Sequence, residues 1–297
     1  MKTSVTTRDW IALAALVMTW GSSFAMTKVA VASMDPAWVM ALRLSVAGIF
    51  LGIIVTLTRR QWPRGRELWL WFAGLGFIGH AVPFFLVSWG TQFISSGLSG
   101  VLMGAIPLFV IVLAHFFLPD EKLTRMKALG FVVGFVGLMI VLGPEKLLRF
   151  EGQGMALVGE IVIILSCLCY AVHSLLARRI PFQGPVEQAA AVCLSGGVMG
   201  VIFASLHAPN GLDNATTLAF LCVIGLGIVP TALATLLVYA IVRGAGVSFV
   251  AYSNYLVPVY ALGLGAVLLG ETLTPNVGIG LVLILAGIAA SRMQRTT

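Results

Sequence analysis

Charge is scarce in this sequence of 297 residues: Asp, Glu, Lys and Arg together make up 10% of it. A soluble globular domain carries about 25% of these residues and about 45–50% apolar ones. Here 59% of the residues are apolar, and the mean hydropathy is +1.03. No soluble domain of this length can bury so much apolar surface, so the composition excludes a cytosolic enzyme. The net charge of +7 does not indicate nucleic-acid binding, because the charges lie between apolar blocks and form no basic face.

Motifs of catalytic and metal chemistry are missing as well. The sequence holds no His-Glu-x-x-His, paired-aspartate or Gly-x-Ser-x-Gly pattern and no Walker sequence. We therefore expect neither an enzyme nor direct use of ATP, with no cofactor, no metal, no nucleic-acid partner and no ATPase subunit. The cysteines have no metal-ligand spacing and lie in apolar stretches, which favours a role as small packing residues. They are Cys167, Cys169, Cys193 and Cys222.

Long apolar runs are what the sequence does contain. A helix needs about 20 apolar residues to cross the hydrocarbon core of a bilayer, and continuous rather than alternating runs favour helices over a barrel. Ten runs predict an all-α integral membrane protein with ten transmembrane helices and no connection long enough for a separate domain. The predicted spans are Trp10–Ala32, Pro36–Leu57, Leu68–Trp89, Ser96–Leu118, Met126–Leu142, Gly154–Ala177, Glu187–Leu206, Thr216–Val242, Val247–Gly270 and Asn276–Ser291.

Basic residues are unevenly distributed between the two sets of connections. Fourteen of the 18 Lys and Arg residues fall in the two tails and in the alternate loops that share a side with them. The opposite side holds Lys146 and Arg149, while Lys28 and Arg43 lie within spans. Because Lys and Arg accumulate on the cytoplasmic side of membrane proteins, both termini are predicted to face the cytoplasm.

The sequence repeats itself after 150 residues. This shift superposes Trp20 on Tyr170, Lys28 on Arg178, Glu121 on Glu271, and Gly130 and Gly137 on Gly280 and Gly287. The chain therefore divides into two halves of five spans each, residues 1–150 and 151–297. Because five is odd, the second half must cross the membrane in the opposite sense, which makes the halves inverted repeats. Secondary transporters often use this architecture, with the substrate site near the bilayer midplane between the repeats.

Several stretches together carry a family resemblance. They are Trp20-Gly21-Ser22-Ser23-Phe24, Arg43, the segment from Pro107 to Pro119-Asp120-Glu121, the segment from Pro258 to Gly270-Glu271, and the glycine-rich helix after each of these segments. The chain resembles the EamA-type branch of the drug/metabolite transporter superfamily, and within it the YddG-type exporters of aromatic and other neutral amino acids. The resemblance implies two inverted five-helix repeats around a central cavity, in a bacterial inner membrane. Because members of the family carry different substrates, the substrate does not follow from the fold.

Charged residues within spans are candidates for function, because a charge in lipid is costly. Arg43 lies about seven residues into its span, about 10 Å deep, and must face protein or water. It either makes a structural pair, with a helix-end carbonyl or Glu160, or binds a substrate carboxylate. Glu160 is the one carboxylate well inside a predicted span, and it is either a proton or cation site or a water-exposed or Arg-paired residue at the cavity mouth. Lys28 lies near the end of its span, where it can reach the interface.

Two prolines interrupt spans at related positions and indicate a cavity. His80 precedes Pro83 in the third span, and Pro230 lies at the matching place in the eighth. A proline removes one backbone hydrogen bond and frees carbonyl groups in the preceding turn, which is tolerated where protein or water satisfies them. His80 is either a substrate contact there or a buried, hydrogen-bonded core histidine.

Aromatic and polar residues cluster on particular faces of three spans. The members are Trp20, Ser23 and Thr27 in the first span, Tyr170 and His173 in the sixth, and Tyr252, Asn254 and Tyr255 in the ninth. Single aromatic residues in apolar helices are most often packing or interface residues. As a set, these residues suit a cavity that binds an aromatic solute.

Two further groups of residues are predicted to be structural. Carboxylates recur at the ends of spans four and nine, where they can stabilise helix termini. Small residues recur every four positions in three spans, which allows helices to pack closely. The carboxylates are Asp120, Glu121 and Glu271, and the small residues are Ser96, Gly100 and Gly104, Gly48 and Gly52, and Gly130 and Gly134.

These features predict a carrier that exports a small metabolite by alternating access, with neutral and preferably aromatic amino acids as cargo. Aromatic side chains would hold the ring, while Arg43, Asn254 or carbonyl groups near Pro83 and Pro230 would hold the amino-acid ends. The alternative is a multidrug or organic-cation exporter coupled to protons, which requires an essential membrane carboxylate, and only Glu160 qualifies. The predicted partners are a small-molecule substrate and the lipid bilayer.

Overall fold

The structure is a computed structural model that describes residues 5–118, 124–142, 154–180 and 184–292. Within these ranges every regular element is a helix, which confirms the all-α fold class. Asp120, Glu121, Lys146 and Arg149 lie outside the described residues. The spans are α1 Thr7–Val31, α2 Pro36–Leu57, α3 Arg66–Thr91, α4 Ser96–Phe117, α5 Arg125–Leu142, α6 Gly154–Ala177, α7 Pro185–His207, α8 Thr217–Gly244, α9 Ser253–Leu269 and α10 Pro275–Arg292.

Helices α1 to α8 are long and apolar enough to cross a membrane, and α9 and α10 are apolar but shorter. Hydrogen bonds from backbone N–H groups to capping side chains determine where α1 and α2 begin. The Thr6 hydroxyl accepts a hydrogen bond from the Asp9 backbone N–H, and the Asp9 carboxylate accepts one from the Thr6 N–H, so a capping box begins α1. The Asp35 carboxylate accepts a hydrogen bond from the Ala37 N–H at 2.8 Å, and Pro36 occupies the first turn of α2.

Two spans contain wide, π-helical turns. These turns occupy Phe77–Ala81 in α3 and Gly227–Leu233 in α8, and they begin at equivalent positions of the two halves. Pro83 follows the first turn and Pro230 lies inside the second. The interruptions predicted from these prolines are therefore π-helical turns within continuous spans rather than breaks.

Two other spans that the sequence treats as single segments are divided in the structure. Helix α4 consists of Ser96–Met103 and Ile106–Phe117, and the division falls just before Pro107, which lacks a backbone N–H. A separate four-residue helix, Val247–Val250, precedes α9. A turn therefore interrupts the helix within both predicted spans, at residues 104–105 and 251–252.

The halves meet in two close helix pairs, α2 with α7 and α5 with α10. A Cβ atom added to Gly137 would lie 2.8 Å from the Gly280 carbonyl oxygen, and one added to Gly280 would lie 2.7 Å from the Gly137 carbonyl oxygen. Their repeat counterparts, Gly287 and Gly130, approach each other in the same way, so the crossing is symmetric. This geometry confirms the prediction that small residues allow close packing of helices.

A carboxylate of the second half caps a helix of the first at the end of the bundle where α1 finishes. The Glu271 carboxylate, just after α9, accepts hydrogen bonds from the backbone N–H groups of Ser96 and Gly97 at 2.6 and 2.9 Å. It caps the N-terminus of α4 in the other half, which confirms its predicted role at a helix terminus. Nearby, the Lys28 ammonium donates a hydrogen bond to the Thr91 carbonyl oxygen, at the end of α3, at 2.8 Å.

Candidate functional site

A cavity of about 400 Å³ lies between the halves, at the level of the two π-helical turns. Its described lining residues come from α1, α2, α3, α4, α6, α8 and α9, so it is surrounded by helices of both halves. Seven of the eleven residues predicted to bind substrate line it. They are Trp20, Ser23, Arg43, His80, Tyr170, Pro230 and Asn254.

Arg43 brings a buried positive charge to the cavity wall. The residue is 9% exposed, and its guanidinium carbon lies 3.8 Å from the centroid of the Phe84 ring, in a cation–π contact. Its Nε donates a hydrogen bond to Thr231 Oγ1 at 3.0 Å. Among the described residues, no ion pair joins Arg43 to Glu160, and no hydrogen bond is recorded for its two Nη nitrogens. The N–H groups on these nitrogens are the strongest donors that the lining offers to a ligand.

The π-helical turn of α8 explains how Thr231 comes to face Arg43. The Thr231 hydroxyl donates a hydrogen bond to the carbonyl oxygen of Leu226, five residues earlier, at 2.8 Å. With its proton committed to that carbonyl, the hydroxyl oxygen accepts the hydrogen bond from Arg43 Nε. The backbone interruption in one half thus orients a charged side chain from the other half.

Other hydroxyl groups in the lining are committed in a similar way. Ser23 donates to the Trp20 carbonyl oxygen at 2.6 Å, and Thr27 donates to that of Ser23 at 2.7 Å. Thr235 donates to the Thr231 carbonyl oxygen at 2.8 Å. Each hydroxyl proton bonds to its own helix, so the lone pairs of the oxygen are what remain for a ligand. The wall therefore presents neutral acceptors beside the guanidinium donors.

His80 and His173 form a contact at the back of the cavity. Their rings lie 5.3 Å apart, edge to face, and His80 also packs against Phe84 at 5.6 Å. The Nδ1 atoms of both histidines are buried and have no hydrogen-bond partner in the described part of the chain. Gly79 makes room for the His173 ring, because a Cβ atom at that position would collide with it. His80 lines the cavity, and His173 lies behind it.

Two predicted residues near the start of α9 lie outside the cavity lining. Tyr252 is 49% exposed and packs against Phe249 and Trp10, with ring centroids 5.6 and 6.3 Å away. Tyr255 packs against the buried apolar cluster formed by α4, α5, α6 and α10. Of the predicted cluster in this span, Asn254 is the member that faces the cavity.

Pro83 and Glu160 also lie outside the lining. Pro83 is buried in the first turn of the helical segment that follows the π-helical turn of α3. Glu160 is 1% exposed and sits within α6, among the helices that pack around that span. Among the described residues there is also no group of three or more His, Cys, Asp or Glu side chains able to hold a metal ion.

Several lining residues were not predicted from the sequence, although the sequence pattern around some of them indicates that they face the cavity. Phe84 lies four residues after His80, so the two share a helix face, and it follows Pro83 directly. Thr231 follows Pro230, inside the interruption that the proline marks. The apolar lining residues Met103 and Ile106 had no distinguishing signal, because the surrounding spans are uniformly apolar.

The fold and cavity together define a class of protein. Two five-helix halves that enclose a buried, ligand-sized cavity have the architecture of a secondary transporter. The sequence profile of the EamA-like transporter family matches residues 9–143 and 157–293, one match in each half. The chain therefore belongs to the EamA-like transporter family and is a multi-pass membrane transporter.

Its relatives match nearly the whole chain. The chain is 25% identical over 285 residues to the uncharacterized transporter YoaV of Bacillus subtilis (strain 168), covering 94% of both chains. It is 29% identical over 280 residues to a probable terminal-alkyne amino-acid exporter of Streptantibioticus cattleyicolor, covering 93% of this chain and 91% of that one. Identity to the uncharacterized inner membrane transporter YedA of Escherichia coli (strain K12) is 27% over 265 residues, covering 89% and 83%. A solved crystal structure shares the fold with a TM-score of 0.67 at 19% identity, covering 97% of both chains.

Proposed function

We propose that this transporter exports small metabolites by alternating access, and that its cargo is neutral, preferably aromatic, amino acids. The observation that carries the proposal is the buried guanidinium of Arg43 in a largely apolar wall that also contains aromatic rings and hydroxyl groups. Arg43 would bind the amino-acid carboxylate through its Nη donors. The rings of Trp20, Phe84 and Tyr170 would surround the side chain.

The charge of the lining argues against the alternative, a proton-coupled exporter of organic cations. The described lining offers an organic cation aromatic rings but no Asp or Glu, and it holds the positive charge of Arg43. Placing a second positive charge beside a buried guanidinium is unfavourable, because the interior screens charges weakly. Glu160, the carboxylate that this alternative requires, lies outside the lining.

The size of the cavity and one relative agree with an amino-acid cargo. Ligand sites of proteins occupy about 300–1,000 Å³, so a cavity of about 400 Å³ suits a solute at the small end of that range. The relative in Streptantibioticus cattleyicolor is described as a probable exporter of an amino acid.

The orientation and division of the chain belong to the same proposal. We place both termini in the cytoplasm of a bacterial cell, in its inner membrane, and assign residues 1–150 and 151–297 to the two repeats. The end of the bundle at which α1 finishes then faces outward. A C-terminal fusion to alkaline phosphatase, which is active only outside the cytoplasm, is expected to be inactive in intact cells. An active fusion, expressed at a normal level, would show that the C-terminus lies outside the cytoplasm and would contradict the proposed orientation.

The proposed function also implies that the chain needs no catalytic group, cofactor or ATPase partner. A carrier of this type forms and breaks no covalent bond, so we expect no catalysed reaction, no cofactor and no ATPase subunit. The partners are the transported solute and the surrounding lipid.

Counterflow in liposomes tests the proposal. Liposomes containing purified protein and unlabelled phenylalanine are expected to take up labelled phenylalanine, with or without an imposed proton gradient, and other neutral amino acids should compete. Protein-free liposomes are the control. Flux of an organic cation without phenylalanine counterflow would overturn the substrate assignment. Counterflow that requires the proton gradient would overturn a purely facilitative mechanism and leave the cargo assignment in place.

A further inference from the structure

We propose that, of the two charged groups of an amino acid, the cavity recognises chiefly the carboxylate, so that aromatic monocarboxylates without an ammonium group bind at least as tightly as the matching amino acid. This inference rests on the proposed function, since it uses the same cavity and the same role for Arg43. It goes beyond that function in the class of solute: the cargo would include aromatic acid anions as well as amino acids.

The carboxylate end of a solute meets a charged and oriented partner. Hydrogen bonding to Thr231 and the contact with Phe84 hold the Arg43 guanidinium in one place, and its Nη nitrogens have no other recorded hydrogen bond among the described residues. A carboxylate can accept two parallel hydrogen bonds from a guanidinium, which is among the strongest polar contacts in proteins.

The ammonium end meets only neutral partners. The described lining offers it the oxygens of Ser23, Thr27, Thr235 and Tyr170, the side-chain amide of Asn254 and the faces of aromatic rings, but no Asp or Glu. Neutral acceptors return part of the hydrogen bonding that the ammonium loses when it leaves water, without any opposite charge. The ammonium group therefore adds less to binding than the carboxylate does.

The balance of charge in the cavity leads to the same ranking. A monocarboxylate neutralises the positive charge of Arg43, an amino-acid zwitterion leaves that net charge unchanged, and an amine adds a second positive charge. Because Arg43 is only 9% exposed, these differences are screened less than they would be in bulk water. The expected order of affinity is acid first, amino acid second and amine last.

An anionic cargo would also change the energetics of export. The inside of a bacterial cell is electrically negative, so an anion moves outward down the membrane potential. At equilibrium, 100 mV supports a concentration ratio of about 50-fold for a single charge. An exporter of acid anions therefore needs no proton-binding carboxylate, in agreement with a described cavity lining that contains none.

Competition binding on the purified, unaltered protein tests this inference. Labelled phenylalanine is bound in detergent at neutral pH, where passive permeation plays no part, and is displaced by phenylalanine, 3-phenylpropionate or phenethylamine. These three share a ring and a spacer and differ in their charged groups. We expect 3-phenylpropionate to displace the label at concentrations equal to or below those of phenylalanine, and phenethylamine to require at least about tenfold more.

Each other outcome is informative. Phenylalanine binding without competition by 3-phenylpropionate would overturn this inference and leave the proposed function standing. Saturable binding of labelled 3-phenylpropionate but not of phenylalanine would support the inference and overturn the amino-acid assignment. Binding of neither probe would overturn both. The variant Arg43→Gln should lose the preference for the acid over the amine, and Arg43→Lys, which keeps the charge, should retain it.

Discussion

Arg43 Nε lies 3.0 Å from Thr231 Oγ1, and this hydrogen bond connects α2 of the first half to the π-helical turn of α8 in the second. The threonine in turn donates its proton to Leu226, so its orientation depends on the backbone of the turn. The position of the cavity's arginine charge is therefore set jointly by both halves. A movement of one half relative to the other would alter the position of this charge.

Removal of the Thr231 hydroxyl should weaken cargo binding. The variant Thr231→Val leaves the Arg43 Nε without its acceptor, and we expect the affinity for phenylalanine to fall about tenfold, the value of one hydrogen bond to a charged group. Thr231→Ser retains the hydroxyl and should bind within about twofold of the unaltered protein. Equal binding by Thr231→Val and Thr231→Ser would show that this contact does not position the arginine. The affinity of each of the three proteins for phenylalanine is measured by displacing labelled phenylalanine with unlabelled phenylalanine.

Glu160→Gln should leave amino-acid flux largely intact. The carboxylate lies outside the described cavity lining, so its charge is not expected to contact the cargo. Counterflow in liposomes is the measurement, with the elution profile of the purified variant as the check on folding. Abolished flux in a normally folded variant would contradict this prediction and make Glu160 a coupling site.

Glu271→Gln should destabilise the protein. The carboxylate accepts hydrogen bonds from two backbone N–H groups at the start of α4, and an amide offers one oxygen in place of two. We expect a loss of about 1–2 kcal/mol, seen as a lower thermal midpoint in detergent. Glu67→Gln, at an exposed position in the first turn of α3, is the matched control and should change the midpoint little. Equal midpoints for the two variants would exclude the capping role.

Gly137→Ala should disturb the contact between α5 and α10. The new methyl group would lie 2.8 Å from the Gly280 carbonyl oxygen, so the helices must separate, at a cost of about 1–3 kcal/mol. The control variant is Gly278→Ala. Gly278 lies on α10, as Gly280 does, and no neighbouring atom lies within 4 Å of the added carbon. Because alanine favours helix more than glycine, this control should be neutral or stabilising. Comparable thermal midpoints for both variants would mean that the helix pair tolerates separation.

The fold could be predicted from the sequence because a bilayer imposes strong rules on composition. Apolar runs of span length, the bias of basic residues and the repeat after 150 residues are each visible without coordinates. The division of α4 before Pro107 was less visible, since a proline can end, bend or begin a helix depending on what its neighbours satisfy. The glycine pairs were predictable as packing residues, but not the specific partners across the two halves.

The cavity could be predicted in part, and two of the failures, Tyr252 and Tyr255, share a cause. Face assignments assume 3.6 residues per turn, which holds in α1, where Trp20 and Ser23 both reach the cavity. A turn and a separate short helix precede α9, so the same spacing does not give the direction of Tyr252 or Tyr255. Asn254, between them, faces the cavity instead. Contacts that join distant helices, such as Arg43 with Phe84, leave no local pattern in a single sequence.

The π-helical turns begin at residues 77 and 227, the same place in each half. A π turn is in effect a one-residue insertion into an α-helix, and the same insertion arising twice at one position is less economical than a single event. The shared position is what a single insertion before duplication of a five-helix unit would leave. At equivalent places in the two turns, the first half carries His80 and the second carries Pro230.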